Sequence, residues 1–328
     1  MDIFYSLLVI FIAIFALIQA GKYVVRSLSV LARFLSVSEY VLSFFLIALA
    51  TALPELSVGI NSALLGVSEL SFGDILGTNI VNLTLILGAV AVVGGSINLK
   101  DYAHFKENRL IELSVMLAPL MLALDGTLSR LDGSILLVLF VVLIFRLLDI
   151  DDTILGRKVL RPHLVASVNE VATSWKDFSK HLLIFAIGVA ALIVATLTIV
   201  VNAKDFSLAI GISEVLVGVL IVGTCTSLPE LTIGLRSVLK KHGGVALGDI
   251  FGAAAINSTL TLGIVALISP VRLNDSHILM VGIVFTALSF FFASLFLKSK
   301  RSISRREGLL LVVLYLFFVL AQIGTLFL

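Results

Sequence analysis

Two segments of the sequence place a glutamate directly after a proline inside a long apolar stretch. Thr51 to Glu55 reads Thr-Ala-Leu-Pro-Glu, and 175 residues later Thr226 to Glu230 reads Thr-Ser-Leu-Pro-Glu. An ionisable side chain at bilayer depth costs several kcal/mol unless it faces protein or a water-filled cavity. Two such glutamates, each beside a helix-breaking proline, therefore indicate an ion or proton site within a membrane.

The composition is that of a chain that lies in a bilayer. Hydrophobic residues make up 59% of the 328 residues and charged residues only 13%, which excludes an ordinary soluble domain. Apolar runs of about 18 to 25 residues are long enough to cross a hydrocarbon core of about 30 Å. They predict an all-α polytopic membrane protein with ten transmembrane helices, near 2–20, 40–65, 71–95, 108–124, 131–148, 181–202, 213–239, 245–268, 276–297 and 308–327.

The basic residues predict how the chain is oriented. Of the 23 Lys and Arg residues, 20 fall in the loops after the odd-numbered spans, and cytoplasmic loops hold an excess of such residues. We therefore expect a multi-pass protein of the plasma membrane whose two termini are extracytoplasmic. The net charge of +2 follows from this bias, so the bilayer is the expected partner and no nucleic-acid surface is expected. The single cysteine, Cys225, excludes an internal disulfide.

The chain contains an internal repeat. An offset of 175 aligns residues 51–88 with 226–263 without a gap, and 17 of the 38 positions are identical. Each half holds five predicted spans, an odd number, so the second half must enter the membrane from the opposite side. We expect two inverted five-helix repeats, at 1–148 and 181–328, joined by a cytoplasmic linker at 149–180. Inverted repeats with interrupted helices are typical of secondary transporters.

Residue counting places four polar side chains at one depth. Glu55 and Asn82 each lie about 15 Å from the same end of their predicted hairpin, and Glu230 and Asn257 repeat this arrangement. The prolines free backbone carbonyls around 48–50 and 223–225. With the nearby hydroxyls the expected centre is an all-oxygen shell with two negative charges, which suits Ca²⁺ and also accepts Na⁺.

Asp74 and Asp249 leave two interpretations open. Each lies near the predicted start of its helix, on the face that continues through Thr78 or Ala253 to the asparagine. They could cap the helix N-terminus, or they could serve as entrance ligands or proton carriers.

The paired Leu-Pro-Glu and Gly-Asp-Ile segments resemble the two alpha repeats of the cation/calcium exchanger superfamily, particularly its prokaryotic sodium/calcium exchanger branch. The resemblance extends over the whole chain in span count and is strongest in 40–95 and 213–268. It implies alternating access, in which the first and sixth helices slide across a rigid core. By matching position it implies cation ligands at Glu55, Glu230, Thr51, Thr226, Ser227, Asn82 and Asn257, with carbonyls near Ala48 and Gly223.

The departures from the family pattern fall on ligands of the coupling ion. Ala52 and Ala253 stand where the family usually has serine, and Ala50 and Cys225 replace the glycine before each Thr. Asn257 replaces a usual acid, and Asp74 and Asp249 replace usual asparagines. The lost hydroxyls weaken the case for a full set of sodium sites, and the added carboxylates leave room for proton coupling.

These observations predict a secondary active antiporter that exchanges Ca²⁺ for Na⁺, with a divalent cation/H⁺ antiporter as the alternative. Its partners would be inorganic cations, it would need no cofactor, and it would function as a monomer. A passive channel is disfavoured because the pseudo-symmetric site is complete within one chain. An enzyme is disfavoured because no His- or Cys-based catalytic pair lies at bilayer depth.

Overall fold

The computed structural model describes residues 3–34, 49, 52–98, 115–154, 175–239, 243–273, 276–299 and 302–325. The predicted ligands Ala48 and Thr51 lie outside these ranges, and so do residues 155–174 of the predicted linker.

Nearly all of the described chain is helical, as the apolar runs predict. The helices are α1 (Ile3–Phe34), α2 (Leu53–Leu64), α3 (Ser68–Gly94), α4 (Val115–Asp125), α5 (Arg130–Ile154), α6 (Trp175–Ile210), α7 (Glu214–Leu239), α8 (Gly243–Ile256, continuing to Ile268), α9 (Ser276–Ser299) and α10 (Arg305–Gly324). Seven helices in the described residues are long and apolar enough to cross a membrane, namely α1, α3 and α6 to α10. The protein is a multi-pass helical membrane protein.

Two helices extend well past their apolar runs. The first run was predicted to end near residue 20, but α1 continues to Phe34 through Lys22 and Arg26. The run at 181–202 lies inside α6, which spans Trp175–Ile210. Hydropathy detects only the part of a helix that crosses the hydrocarbon core, so polar helical ends are missed.

Wide π-helical turns interrupt α3 and α8 at equivalent places. They span Asn82–Ile86 and Asn257–Thr261, so each begins at one of the repeat asparagines. In both, a threonine hydroxyl donates to the carbonyl four residues back: Thr84 to Ile80, and Thr259 to Ala255 at 2.7 Å. A hydroxyl on that carbonyl competes with the regular helical N–H, which favours a local widening of the helix.

Glycines bring α3 and α7 into backbone contact. A Cβ added at Gly73 or Gly77 of α3 would collide with the carbonyl of Val215 or Val219 in α7. In the reverse direction, a Cβ added at Gly223 of α7 would lie 2.6 Å from the carbonyl oxygen of Asp74. Only residues without a side chain allow this approach, as in other close helix crossings in membranes.

Two further contacts are related by the same offset of 175. A Cβ at Gly88 of α3 would lie 2.6 Å from the carbonyl oxygen of Gly308 in α10, and a Cβ at Gly263 of α8 would lie 3.1 Å from that of Gly133 in α5. Adding 175 to 88 and 133 gives 263 and 308. The duplication therefore continues beyond the region of recognisable sequence identity.

Four short strands mark the two ends of the bundle. β1 (Ser96–Asn98) pairs antiparallel with β4 (Ser302–Ser304), and β2 (Thr127–Leu128) pairs antiparallel with β3 (Val271–Arg272). β1 follows the end of α3, whereas Ser68 at the start of α3 bonds the carbonyl of Pro270 beside β3 at 3.2 Å. The pairs therefore lie at opposite ends of α3, which we call the β1–β4 face and the β2–β3 face.

The α3–α7 contact makes a prediction about stability. Gly77→Ala should destabilise the protein by about 1–3 kcal/mol, because the new methyl group meets a backbone carbonyl that cannot move aside. Gly21→Ala is the matched control, since no atom of the described residues lies within 4 Å of a Cβ at Gly21, and alanine is otherwise the better helix former. Thermal unfolding in detergent measures both variants, and equal midpoints would contradict the close contact.

Candidate cation site

The two proline–glutamate segments lie at the starts of helices. α2 begins at Leu53, so Pro54 occupies its first turn and Glu55 follows directly. In α7 the helix turns at Ser227 and resumes as Leu228–Leu239, which places Glu230 in the same position. A proline is tolerated in a first turn because its missing N–H has no helical partner there, and a carboxylate there is favoured by the helix dipole.

The four side chains predicted to share one depth are completely buried. Glu55, Glu230, Asn82 and Asn257 each have 0% of their surface exposed. None of their eight side-chain oxygen and nitrogen atoms has a hydrogen-bond partner in the described protein. Buried polar atoms are almost always satisfied, so this set of orphaned oxygens fits a site that takes up a charged ligand.

The buried carboxylates repel one another. Glu55 lies within electrostatic range of Glu230 and of Asp74, and Glu230 is also within range of Asp249. Like charges held together in a low-dielectric interior are costly without a counter-charge. A bound cation would supply that counter-charge, so the arrangement fits cation binding.

Three hydroxyl groups converge on one carbonyl oxygen beside the glutamates. The carbonyl of Gly223 accepts from Thr78 at 3.2 Å, from Thr226 at 3.4 Å and from Ser227 at 2.7 Å. Thr78 belongs to the first repeat and the other three residues to the second. Thr78 and the predicted ligands Thr226, Ser227 and Gly223 are thus brought together where the two repeats meet.

Asp74 and Asp249 lie inside their helices rather than at the caps. Val67 occupies the N-cap position of α3 without a side-chain cap, and Asp74 is seven residues further on and fully buried. One Asp74 oxygen accepts from Thr226 at 3.1 Å. Asp249 lies equally far into α8 and is 6% exposed. The capping interpretation is therefore wrong, and Asp74 joins the polar cluster around Gly223.

The helices that carry the glutamates each pack on the opposite repeat. A Cβ at Gly59, four residues after Glu55, would lie 3.0 Å from Thr261 of α8. A Cβ at Gly234, four residues after Glu230, would lie 2.9 Å from Val90 of α3. α2 therefore packs against α8, whose π turn begins at Asn257, and α7 packs against α3, whose π turn begins at Asn82. Both repeats are needed to enclose the candidate site.

The available donors suit a hard cation. Among the described residues, no three His, Cys, Asp or Glu side chains are grouped as a ready-made metal site. The two glutamates lie close to one another on helices that pack against segments carrying amide, hydroxyl and carbonyl oxygens. Such a mixed oxygen shell suits Ca²⁺ or Na⁺, whereas transition metals favour imidazole or thiolate.

One interhelical hydrogen bond beside the interruption of α7 was not predicted from the sequence. The hydroxyl of Thr224, next to Gly223, lies 3.0 Å from the hydroxyl of Tyr315 in α10. The corresponding residues in the first half are Leu49 and Phe140, which lie together in an apolar cluster. Aligning the halves at positions 49 and 140 shows that both residues are polar only in the second half, but their contact follows from the fold.

Comparison with known proteins gives one family. The family model described as sodium/calcium exchanger protein matches residues 5–148 and 180–324. A putative antiporter, CaxA of Alkalimonas amylolytica, is 28% identical over 321 residues, which cover 94% of this chain and 95% of the relative.

Two solved structures share the fold. The sodium-calcium exchanger NCX_Mj, soaked with Na⁺ and Sr²⁺, superposes with a TM-score of 0.62 at 23% identity, covering 96% of this chain and 97% of its own. A H⁺/Ca²⁺ exchanger, CAX, superposes with a TM-score of 0.76 at 15% identity, covering 98% of this chain and 87% of its own.

The Thr226 hydroxyl makes a prediction about the ion-free protein. Thr226→Val should destabilise it by about 1–3 kcal/mol, because Asp74 then loses its hydrogen-bond donor while it stays buried. Thr226→Ser should retain most of the stability, since the hydroxyl is kept. Thermal unfolding in chelator is the measurement, and Thr198→Val, whose hydroxyl is exposed and bonds its own helix at 2.8 Å, is the control. A valine variant as stable as the serine variant would contradict this role.

Proposed function

The chain belongs to the sodium/calcium exchanger protein family, and we propose that it is a secondary active antiporter that exchanges Ca²⁺ for Na⁺ by alternating access. Members of this family are cation exchangers rather than enzymes, and they use no cofactor. The single observation that carries the proposal is the set of fully buried glutamates and asparagines whose polar atoms have no protein partner. These four residues are proposed to meet where the two repeats join.

The calcium ion is held by Glu55 and Glu230. Two carboxylates balance its double charge, and Asn82 and Asn257 supply further neutral oxygens from the start of each π turn. A π turn exposes backbone oxygens that a regular helix would use, so the shell can reach the six to eight oxygens that Ca²⁺ requires. Thr51 and the carbonyl of Ala48, which lie outside the described residues, complete the set by the family resemblance.

Sodium uses the hydroxyl-rich part of the same pocket. Thr78, Thr226, Ser227 and the Gly223 carbonyl already lie within hydrogen-bonding distance of one another. When a cation approaches, each hydroxyl can rotate and present its oxygen lone pair instead of its proton. Because the two ions draw on shared oxygens and charges, binding of one disfavours binding of the other, which is the requirement for exchange.

The alternative coupling ion is H⁺. It is favoured by Asp74, a fully buried carboxylate beside the site with one oxygen that has no hydrogen-bond partner. Asp249 adds a second carboxylate near Glu230. Ala52 and Ala253 remove two hydroxyls that the family pattern would supply for sodium.

The organisation we propose is ten transmembrane helices in two inverted repeats, at 1–148 and 181–328. The equivalent glycine contacts at 88, 133, 263 and 308 support it, as do the equivalent π turns at Asn82 and Asn257. Serine caps continue the correspondence: Ser129 with Asp132 at the start of α5, and Ser304 with Glu307 at the start of α10.

The location we propose is the plasma membrane. The distribution of Lys and Arg assigns the β1–β4 face to the cytoplasm and both termini to the other side. The site is built within one chain, so the protein is expected to function as a monomer among lipids, with inorganic cations as its ligands.

Removing one site charge tests the calcium ligands. Glu55→Gln or Glu230→Gln should abolish calcium transport, with a fall of at least about 100-fold, because the shape is kept while the counter-charge for Ca²⁺ is lost. Folding should persist, since a neutral amide is less costly to bury. Calcium-45 uptake into proteoliposomes measures transport, and Glu69→Gln at the start of α3 is the control. Near-normal uptake by either site variant would refute the calcium site.

Opposing gradients test the coupling ion. Proteoliposomes loaded with Na⁺ at uniform pH should take up calcium-45 when diluted into sodium-free medium. Sodium-free vesicles with an imposed pH difference should show little uptake. Uptake driven only by the pH difference would assign H⁺ as the coupling ion, and calcium flux that needs neither gradient would replace the antiporter with a channel.

A further inference from the structure

Helices α1 and α6 pack along one another as a pair. A Cβ at Gly188 of α6 would lie 2.7 Å from Val24 of α1, and the seam between them belongs to one apolar cluster. The pair contacts the glutamate-bearing helices α2 and α7. These contacts flank the two proline–glutamate segments, so they border the routes by which an ion can reach the site.

The contact between α2 and α6 contains a buried polar cluster of Ser57, Asn61 and Thr196. The Asn61 side-chain amide donates to the Thr196 hydroxyl at 2.7 Å, and the Ser57 hydroxyl lies 2.8 Å from the same oxygen. Thr196 is fully buried and Asn61 nearly so. An interhelical cluster of this kind stabilises association where lipid offers no hydrogen bonds.

The equivalent contact in the other half is different. The offset of 175 relates Ser57 to Thr232, Asn61 to Arg236 and Thr196 to Gly21. Thr232 bonds its own helix at Leu228, at 3.0 Å, and Arg236 is exposed. Among the described residues, no atom lies within 4 Å of a Cβ added at Gly21. The α1–α7 contact therefore lacks, among the described residues, the interhelical hydrogen bonds that join α2 to α6.

The exposure of the glutamate helices agrees with this asymmetry. Leu53, two residues before Glu55, packs against the cluster shared by α1 and α6. Leu228, two residues before Glu230, is 38% exposed. Leu53 is therefore partly covered by apolar packing from the other helices, whereas its counterpart Leu228 is more exposed.

The polar cluster lies between Glu55 and the β2–β3 face. Ser57 and Asn61 are two and six residues beyond Glu55, which is about 3 and 9 Å further along α2. α2 ends at Leu64, close to Ser68 and Pro270 at that face. Any ion that travels from the β2–β3 face to Glu55 between α2 and α6 must separate these hydrogen bonds.

We propose that Ser57, Asn61 and Thr196 form a one-sided polar gate, which closes the route from the β2–β3 face to the cation site. The gate rests on the proposed alternating access, in which one bundle rocks against the other around a fixed site. In the alternate state the opposite route closes without such bonds, since Thr232, Arg236 and Gly21 cannot reproduce them. The carrier therefore favours the state that is closed at the β2–β3 face when no ion is bound.

Distances between α2 and α6 test the gate directly. Spin labels are attached at Leu65→Cys and Leu208→Cys in a Cys225→Ala background, since Cys225 is the single native cysteine and both labelled positions are exposed. Pulsed electron paramagnetic resonance is measured on the full chain in nanodiscs with chelator. The parent should show one dominant short distance. Thr196→Val should raise the ratio of long to short distances about tenfold, as expected from losing two interhelical hydrogen bonds.

Three variants control the measurement. Thr196→Ser keeps the hydroxyl and should match the parent. Thr198→Val removes a threonine hydroxyl from the same helix outside the contact and should also match it. Thr232→Val at the equivalent position of the other half should leave the α2–α6 distance unchanged.

Either of two results would overturn the gate. If the distance distribution of Thr196→Val is identical to that of the parent, the cluster joins the two helices in every state and does not act as a gate. An equal shift with Thr232→Val would show that the closure is not one-sided. Neither result depends on calcium flux, so normal calcium uptake by Glu55→Gln would refute the proposed function while the distances still reported on the gate.

Discussion

The mutual repulsion of buried carboxylates is the constraint on which the rest of the structure depends. Glu55 and Glu230 are fully buried, lie within electrostatic range of one another, and have no hydrogen-bond donor in the described protein. Such an arrangement is stable only if the surrounding helices hold it in place and a cation can enter. The first-turn position of each glutamate offsets part of the cost through the helix dipole. The remaining stability must come from packing elsewhere.

That packing comes from backbone contact rather than from large side chains. Gly73 and Gly77 let α3 lie directly on α7, and the paired glycines at 88 with 308 and at 133 with 263 do the same at the flanks. Bulk apolar burial contributes little between helices surrounded by lipid, so close van der Waals contact and interhelical hydrogen bonds determine how the helices associate. The glycines thereby bring Thr78 of the first repeat against Gly223 of the second, and the rigid core and the cation site share the same residues.

The sequence predicted the helical membrane fold and the convergence of the buried glutamates, because both follow from apolar length and from an ungapped repeat. It did not predict the π turns, since apolar length and helical periodicity do not distinguish a wide turn from a regular helix. The local cause is the threonine hydroxyl that bonds the carbonyl four residues back. The sequence also misplaced Asp74 along its helix. The predicted start of the helix is three residues later than the observed start at Ser68, so the carboxylate was expected near the helix end and not beside Thr226. The partner of Asn61 lies 135 residues away on another helix, and no periodicity within one segment can reveal such a pairing.

The two halves differ at three interhelical polar pairs. Thr224 and Tyr315 are bonded where the first half has Leu49 and Phe140. Asn79 bonds Ser258 at 2.8 Å, and the equivalent positions are Ala254 and Leu83 in the apolar core.

The cluster of Asn61 with Thr196 likewise has Arg236 and Gly21 as its counterparts. A symmetric carrier would have two access states of equal free energy, whereas each unmatched hydrogen bond stabilises one of them. In the proposed cycle, divergence at these positions can therefore set the direction in which the empty protein faces, while the duplicated glutamates and asparagines would provide the one cation site proposed for both states.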